Sequence, residues 1–242
     1  MADVTARIAV LVPVCSRNQS YTDISSTPFV GRFYPAFKAT TAGSAHKFMF
    51  FIGYDDDDAF YTAHAAALGA AITDHSSIFI PLQGCQHAPA TAWNKLAAAA
   101  REFGDFDYFF QVGDDVILER AGWADYFIER LAATAGLGVI GPCNWINHRQ
   151  RMDAGRPHVI ENAFVSRRHL DLFGHFFEPT IRNWYCDDWI TRIYDGVSNE
   201  IAVHFPCRNT IIDSRYRIEV PTGFAEMVVR DRAAVAKSAL SG

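Results

Sequence analysis

Continuous apolar runs recur along the first half of the chain and predict buried β-strands. They occupy positions 8–14, 47–53, 77–82 and 107–112. Two alanine-rich segments between them, 59–68 and 92–103, predict helices, the second capped by Thr91 and stopped by Gly104. Strands that alternate with helices in this way indicate an α/β fold with a mostly parallel sheet.

The second half of the chain has a more mixed pattern. A basic stretch with glycine and proline at 148–158 predicts a loop, and Ser166 predicts the cap of a short helix that ends at Gly174. The other predicted elements are strands at 138–141, 161–165 and 201–205 and helices at 123–134, 189–194 and 223–240. We expect a single α/β domain over 1–242, with a first half near 1–118, a second near 119–222 and a C-terminal helix at 223–242.

Three polar loops follow predicted strands directly, at 15–18, 55–58 and 113–115. Parallel strands bring their carboxyl ends to one edge of the sheet, and ligands of open α/β sheets bind in the crevice outside these ends. If the strands are parallel, we therefore expect the three loops to converge on one crevice.

The composition narrows the class of protein. The 242 residues carry a net charge of -5, which gives no basic field for nucleic acid. Five scattered cysteines without a CxxC pair favour reduced thiols in a cytoplasmic protein over a zinc site or a disulfide framework. Since no run of about 18 apolar residues occurs, we expect no membrane-spanning segment and no Golgi-type anchor in this sequence.

The most informative motif is Gly113-Asp114-Asp115-Val116, which directly follows the predicted strand 107–112. Adjacent carboxylates at the end of an apolar strand repel each other and lose solvation unless a cation compensates. A divalent ion held by one or two carboxylates and by substrate phosphates is a common solution. The motif therefore predicts a metal–nucleotide site, and the alternative is a solvated turn.

The order of these segments resembles that of GT-A fold glycosyltransferases, single-domain α/β enzymes with a Rossmann-like sheet that use nucleotide sugars. The resemblance covers about residues 8–205 and rests on the segments IAVLVPVCSRN, FFIGYDDDDAFY, WNKLAAAAREF, FFQVGDDVIL, NAFVSRRHLDLFGHF and NWYCDDWI. Gly113 stands where the family's usual Asp-x-Asp motif has its first Asp. The motif is thus more similar to the Glu-Asp-Asp variant of some N-acetylglucosaminyltransferases.

The resemblance implies an inverting, metal-dependent glycosyltransferase with a UDP-sugar favoured as donor and a glycan or other hydroxyl compound as acceptor. Asp115 matches the metal-binding acid and would hold Mn²⁺ or Mg²⁺ together with the diphosphate. Asp188 stands where the family has its general base, and Asp187 or the helix N-terminus would orient it. The alternative for this pair is an N-cap followed by a favourable first-turn charge.

The resemblance also implies further contacts with the substrates. Asp55 would contact the base or the ribose, and Arg17 would meet uracil or phosphate unless it is an ordinary surface arginine. His204 would complete the metal shell unless it is only packed in a strand, and Trp184 would form a platform for the acceptor. The remaining candidates for nucleotide-sugar binding are Val14, Asn94, Lys95 and Asp114.

Two charged segments have open interpretations. The four aspartates at 55–58 form either a second metal site or a solvated loop. Three arginines of the segment 148–158 either clamp the diphosphate when a loop closes or face solvent: Arg149, Arg151 and Arg156.

Three other functions share some of these features. A nucleotidyltransferase has a similar first half and a metal carboxylate, but usually a Gly-rich loop after its first strand, which VPVCSRNQS lacks. A glycoside hydrolase uses two carboxylates without a metal nucleotide. A non-catalytic sugar or nucleotide binder on the same fold would keep both acidic motifs, so the sequence leaves this alternative open.

Overall fold

The computed structural model describes residues 5–209 and 220–240. Within them the strands are β1 (Arg7–Val14), β2 (Lys47–Asp55), β3 (Ser76–Leu82), β4 (Tyr108–Gln111), β5 (Val116–Leu118), β6 (Val139–Asn144), β7 (Phe164–Ser166) and β8 (Asn199–Asn209). The helices are α1 (Tyr34–Thr41), α2 (Ala59–Ala71), α3 (Pro89–Phe103), α4 (Trp123–Ala132), α5 (Trp145–Asp153), α6 (Arg167–Phe173), α7 (Cys186–Ile193) and α8 (Phe224–Leu240). A 3-10 turn (Ile24–Ser26) and a π-helix (Phe29–Phe33) precede α1.

The eight strands form one mixed, mostly parallel sheet with the order β3-β2-β1-β4-β7-β6-β8-β5. Strand β1 is parallel to β2 and β4, β3 is parallel to β2, and β8 is parallel to β6. Strand β7 is antiparallel to β4 and β6, and β5 is antiparallel to β8. The carboxyl ends of the parallel strands and the starts of β5 and β7 therefore lie along the same edge of the sheet.

Helices cover both faces of the sheet, because the central strands are apolar on both faces. Along β1, the side chains of Ile8, Val10 and Val12 point into one core, which includes aromatic residues of the π-helix and of α1 and α4. Ala9 and Leu11 point into the other core, which contains buried side chains of α3, α6 and α7. This two-sided burial explains why β1 reads as a continuous apolar run.

The predicted α/β architecture is confirmed, with several corrections to the elements. Helix α3 begins at Pro89 with Ala88 as its N-cap, so Thr91 lies inside the helix and does not cap it. Most of the segment 148–158, predicted as a loop, belongs to α5. Ser166 caps α6 as predicted, since its side chain accepts a hydrogen bond from the Arg168 N–H. The final two residues of the predicted C-terminal helix, 241–242, lie outside the described residues.

The predicted halves of the chain share one sheet. Strand β4 of the first half pairs with β7 of the second, and β5, which ends the first half, pairs with β8. Among the described residues, none of the helices combines the length and the apolar character that crossing a bilayer requires.

Candidate functional site

The end of β4 is joined to the segment that leads into β7. The backbone N–H of Gln111 donates to the Ala163 carbonyl at 2.8 Å, and the Ala163 N–H donates to the Gln111 side chain at 2.9 Å. The N–H of Gly113 lies 3.5 Å from the side-chain oxygen of Asn162. These bonds place the Gly113-Asp114-Asp115 motif beside residues 161–163, fifty positions later in the chain.

Glu161 is a residue of this edge that the sequence analysis did not select. Its carboxylate accepts hydrogen bonds from the side-chain amides of Asn147 at 2.9 Å and Asn144 at 3.2 Å. Burial raises the pKa of Glu161, the two amides oppose the shift, and the negative charge of Asp115 adds to it. The sequence predicted a strand at 161–165 and gave Glu161 no functional role. In the structure β7 begins only at Phe164, so Glu161 lies in the segment before this strand.

The backbone around Glu161 packs closely against β6. A Cβ atom on Gly141 would lie 2.3 Å from the Asn162 carbonyl oxygen, which is closer than any side chain permits. The glycine therefore allows the 160–162 segment to lie directly on β6. This contact sets the position of the Glu161 carboxylate relative to the end of the sheet.

Asp187 faces the crevice from the first turn of α7. Its carboxylate lines two cavities of about 430 Å³ and 280 Å³, which also share Glu161, Trp184 and Asn209 as lining residues. Burial raises the pKa of Asp187 to about 7, and the charges of Asp188 and Glu161 add to the shift. A carboxyl group with a pKa near neutrality is suited to general acid–base work.

A strained turn presents Asp187 to the crevice. Tyr185, which precedes α7, has a φ of 76°, and left-handed backbone in a bulky residue costs about 1–3 kcal/mol. The side chain of Tyr185, the N-cap residue, makes no cap hydrogen bond to α7, and the Asp188 N–H donates to the Asp187 carboxylate at 3.2 Å. Such strain often marks functional sites, and here it lies two residues before the acid with the raised pKa.

Asp188 has different surroundings from those of Asp187. One of its carboxylate oxygens lies 3.2 Å from the Arg192 guanidinium and 3.6 Å from that of Arg151, and its side chain is 15% exposed. Arg192 is on the same helix, whereas Arg151 belongs to α5. Asp188 thus joins α7 to α5, and its carboxylate is already paired with two cations.

Asp115, a predicted metal ligand, directly precedes β5, whose Val116 pairs with Asn209, a residue that lines both cavities. Burial is the main cause of the raised pKa of Glu161, and the negative charge of Asp115 adds to it. Within 5–209 and 220–240, no three His, Cys, Asp or Glu side chains form a group that could hold a metal ion alone. The residues fit a divalent ion that takes one carboxylate from the protein and further oxygens from a bound diphosphate, which is a usual arrangement for Mg²⁺.

Three of the four aspartates at 55–58 make contacts within the protein. Asp58 caps α2 through the Tyr61 N–H at 3.1 Å and accepts bonds from the Ser16 N–H and hydroxyl at 2.8 and 2.7 Å. Arg17 lies 3.4 Å from Asp55 and 3.0 Å from Asp57. Burial raises the pKa of Asp55, although the charge of Arg17 opposes the shift. The loops after β1 and β2 therefore meet as predicted, held by these contacts.

Three predicted nucleotide-sugar ligands have side chains engaged within the protein. The Asn94 amide accepts from the N–H groups of Phe176 and Phe177 at 3.1 and 2.7 Å and donates to the Phe177 carbonyl at 2.8 Å. The Lys95 ammonium donates to the carbonyl of Gln83. The Val14 side chain is buried in the core, which leaves only its backbone to face a ligand.

His204 lies in the irregular part of β8. The register of β8 against β6 shifts between Ala202 and Pro206, so His204 stands in a bulge of the strand, and it is exposed. Its carbonyl accepts a hydrogen bond from Arg120 at 3.2 Å. A role of His204 in the metal shell stays a prediction.

Of two further predicted site residues, Asp114 is buried and Trp184 is exposed. Asp114 is 4% exposed, so its carboxylate faces the protein interior beside Tyr61, whose pKa its charge helps to raise after burial itself. Trp184 is 36% exposed and lines both cavities at Asp187. The placement of Trp184 suits the predicted contact with an acceptor.

The fold is similar to those of solved structures. A mannosyltransferase, PcManGT from Pyrobaculum calidifontis in complex with GDP-Man and Mn²⁺, aligns over 99% of this chain and 75% of its own, with a TM-score of 0.61 and 12% identity. TarS of S. aureus aligns over 85% of this chain but only 37% of its own, with a TM-score of 0.54 and 9% identity. Identities this low establish a shared fold only. No protein-family model and no curated protein sequence matches the chain.

Proposed function

We propose that the protein is a glycosyltransferase of the inverting type that moves a sugar from a nucleotide-diphosphate sugar to an acceptor hydroxyl with the help of Mn²⁺ or Mg²⁺. The observation that carries this proposal is the position of Asp187. Its carboxyl group, with a pKa of about 7, lies in a crevice at the sheet edge that also carries Asp115. The shared fold with a GDP-Man-binding mannosyltransferase supports the choice of donor class.

The proposed reaction needs a base and a place for the leaving diphosphate. Asp187 takes the proton of the acceptor hydroxyl while the hydroxyl oxygen attacks the anomeric carbon and the bond to the diphosphate breaks, which inverts that carbon. Asp115 would hold the divalent cation, which when bound neutralises the charge that develops on the diphosphate oxygens. Glu161 assists by its charge, because it helps to keep the Asp187 pKa near neutrality.

This assignment moves the base from Asp188, which the resemblance implies, to Asp187. A base must reach the substrate, and Asp187 lines both cavities, whereas Asp188 lines neither and has one carboxylate oxygen held by Arg151 and Arg192. Asp188 then holds α5 against α7. UDP is the nucleotide that the resemblance favours, and the neighbour with GDP-Man makes GDP-sugars an equal choice for the test.

The test compares two neighbouring substitutions in the presence of Mn²⁺ and a panel of UDP- and GDP-sugars. With the donor that wild type turns over, we expect Asp187→Asn to lower turnover ~10²–10⁴-fold, the usual contribution of a positioned base. Asp188→Asn should lower it less than about tenfold. Wild-type turnover should rise with pH through about 7 as Asp187 ionises, and NMR of the product should show an inverted anomeric configuration.

The outcomes separate the alternatives. If Asp188→Asn abolishes turnover and Asp187→Asn does not, Asp188 is the base. If wild type binds a nucleotide sugar but turns over none of the donors, with or without acceptors, the protein is a binder and the transferase proposal fails. Release of sugar from a glycan without any nucleotide donor would identify a hydrolase.

A further inference from the structure

Two cavities share the residues around Asp187, and they differ in chemistry. The smaller, of about 280 Å³, is bounded by Trp93 in the first turns of α3, by Phe177 and by Gln111 at the end of β4. Gln111, in its wall, is the last residue of β4, the strand that leads into the Gly113-Asp114-Asp115 motif. This cavity therefore belongs to the donor side of the proposed reaction.

The larger cavity, of about 430 Å³, has two arginines on one side and two acids, Glu161 and Asp187, where it adjoins the smaller one. Its walls come from α5 and the turn after it, with Asn147, Gln150, Arg151 and Arg156 among the lining residues. Asp187 and Glu161 line both cavities and so lie where the two adjoin, whereas the arginines line only this one. The larger cavity thus begins at the proposed base and extends towards a cationic wall, on the side where an acceptor would enter.

The end of α5 joins the backbones of the two arginines. Gly155 has a φ of 64°, its N–H donates to Met152, and the Arg156 N–H donates to the Arg151 carbonyl at 2.9 Å. These two bonds form a Schellman motif, which requires a left-handed residue such as glycine. The helix ending thereby turns the chain back and brings the backbone of Arg156 next to that of Arg151, and both residues line the larger cavity.

Arg156 is exposed, and its guanidinium does not help to hold the described residues together. Arg151 donates to the Pro157 carbonyl at 2.9 Å and lies 3.6 Å from Asp188, but Arg156 has neither an ion pair nor a side-chain hydrogen bond within the described residues. Arg151 and Arg156 line the same cavity, and Arg156 offers a positive charge there. The fixed fork of an arginine matches the oxygens of a phosphate or a carboxylate.

We propose that the acceptor carries an anionic group, a phosphate or a carboxylate, which Arg156 and Arg151 bind in the α5 cavity while the acceptor hydroxyl faces Asp187. This inference rests on the proposed transferase function and names its acceptor class. Trp184, which lines both cavities, would cover the sugar or polyol between the charged group and the hydroxyl.

Binding of matched acceptor probes tests this directly. Glucose, galactose and mannose are each compared with their 6-phosphates and with the corresponding uronates, by calorimetry or saturation-transfer NMR at low ionic strength. We expect at least one charged probe to bind ten or more times as tightly as its neutral partner. The arm that binds tells phosphate from carboxylate, and the preference should disappear at high salt.

The matched control, Arg149, lies in α5, the helix that precedes Arg156. Arg156→Ala should remove the preference for the charged probe, and Arg156→Lys should restore part of it. Arg149→Ala removes an exposed arginine of α5 that does not line the cavity and should leave the preference intact. Equal binding of all charged and neutral partners, or an equal effect of Arg156→Ala and Arg149→Ala, overturns the inference.

Donor turnover in the same variants keeps this test apart from that of the function. If Arg156→Ala still hydrolyses the donor sugar nucleotide in water but loses the charged acceptor, both proposals hold. Wild-type donor turnover with no preference for charged probes overturns only the acceptor class. A clear preference for charged probes without turnover of any donor overturns only the transferase function.

Discussion

Asp187 and Asp188 are neighbours in sequence, yet they differ in what surrounds each carboxylate. Asp187 lies in a crevice where burial and two negative neighbours raise its pKa to about 7. Asp188 lies against two guanidinium groups, one of them from α5. The sequence places both acids at a helix start but gives no information on Arg151, because that contact joins segments 37 positions apart and depends on a helix that the pattern did not predict.

Replacing Asp187 should change how stability depends on pH. The folded-state pKa of about 7 lies above the unfolded value of 3.8, so the folded protein holds an extra proton between these values. Wild type therefore loses stability from this group as pH rises from about 4 to about 7, by at most about 1.4 kcal/mol per pH unit. Asp187→Asn lacks this loss, so we expect the free energy of unfolding of the variant to rise relative to that of wild type between pH 5 and pH 8.

Urea unfolding of both proteins in the presence of chelator measures this difference. Asp153→Asn, which changes an exposed carboxylate of α5, serves as the control and should show the wild-type pH dependence. A constant difference between Asp187→Asn and wild type across this pH range would show that Asp187 is ionised throughout, and would remove the main support for its role as base.

Asn94 offers a test between a ligand contact and a structural one. Its amide both accepts from and donates to the backbone at Phe177, and Asn94→Asp removes the donor while keeping the acceptor. We expect a loss of about 1–3 kcal/mol in the free energy of unfolding, the usual cost of an unsatisfied buried group. Nucleotide affinity, measured by calorimetry below the unfolding range, should stay within about twofold of wild type. A selective loss of affinity at unchanged stability would restore the nucleotide contact that the resemblance implies.

Among the elements, α8 holds α7 in place from outside. The Trp189 indole N–H donates to Asp231 of α8 at 3.0 Å, and Arg230 binds the same carboxylate at 2.7 Å. Asp231 is 6% exposed, so this bond is protected from solvent. Because Trp189 directly follows Asp188, the C-terminal helix helps to fix the acidic start of α7.

Asp231→Leu should loosen this attachment. It leaves the buried Trp189 N–H without its acceptor, which costs about 1–3 kcal/mol. For a protein of this size we expect a drop in Tm of roughly 2–12 °C, at about 2–4 °C per kcal/mol. Asp231→Asn keeps an oxygen acceptor and should lose less, and Val229→Ala on the exposed side of α8 should be nearly neutral. Equal Tm values for the Leu and Asn variants would contradict a specific role of the indole bond.

Elements with a strong local signal were the ones that the sequence predicted. The apolar runs of β1, β2 and β3 and the cap and glycine around α6 have such signals, and the structure agrees. Helix α5 has an exposed, basic surface and no apolar stripe, so its stability comes from contacts such as Asn147 with Glu161 that the pattern does not show. The pattern analysis predicted no helix at α1. Phe29 and Phe33 of the π-helix and Phe37 of α1 are nevertheless spaced four residues apart, close to the period of a helix.

At the scale of the whole molecule, the sheet order turns scattered polar residues into one site. Asp115, Glu161 and Asp187 come from three separate segments, and the edge formed by β4, β7, β6 and β8 brings the first two together. The sequence predicted the acidic motif and the α7 pair because each stands beside an apolar element. It could not predict Glu161, because the position of this residue depends on where β7 begins and on how the strands are ordered.

Ligand binding should stabilise the entire fold if the metal–nucleotide proposal is correct. With Mn²⁺ and UDP or GDP at about 100 times the dissociation constant, mass action adds about 2.7 kcal/mol, or roughly 5–10 °C in Tm. Chelator should abolish the shift, and Asp115→Ala should remove it even with Mn²⁺ present. Glu129→Ala, which changes an exposed carboxylate of α4, should keep the full shift. A nucleotide-dependent shift that survives both chelator and Asp115→Ala would argue against a metal at this site.

The place of β5 in the sheet also has a consequence for protein synthesis. In the described sheet β5 is an edge strand whose neighbour is β8, and β8 ends at Asn209, long after β5 has left the ribosome. At ~5–20 residues per second, the nascent chain waits on the order of ten seconds between these events. During that interval Asp114 and Asp115 precede a strand without a partner. The segment that carries Asp114 and Asp115 is therefore fixed in the sheet only after β8 has been made.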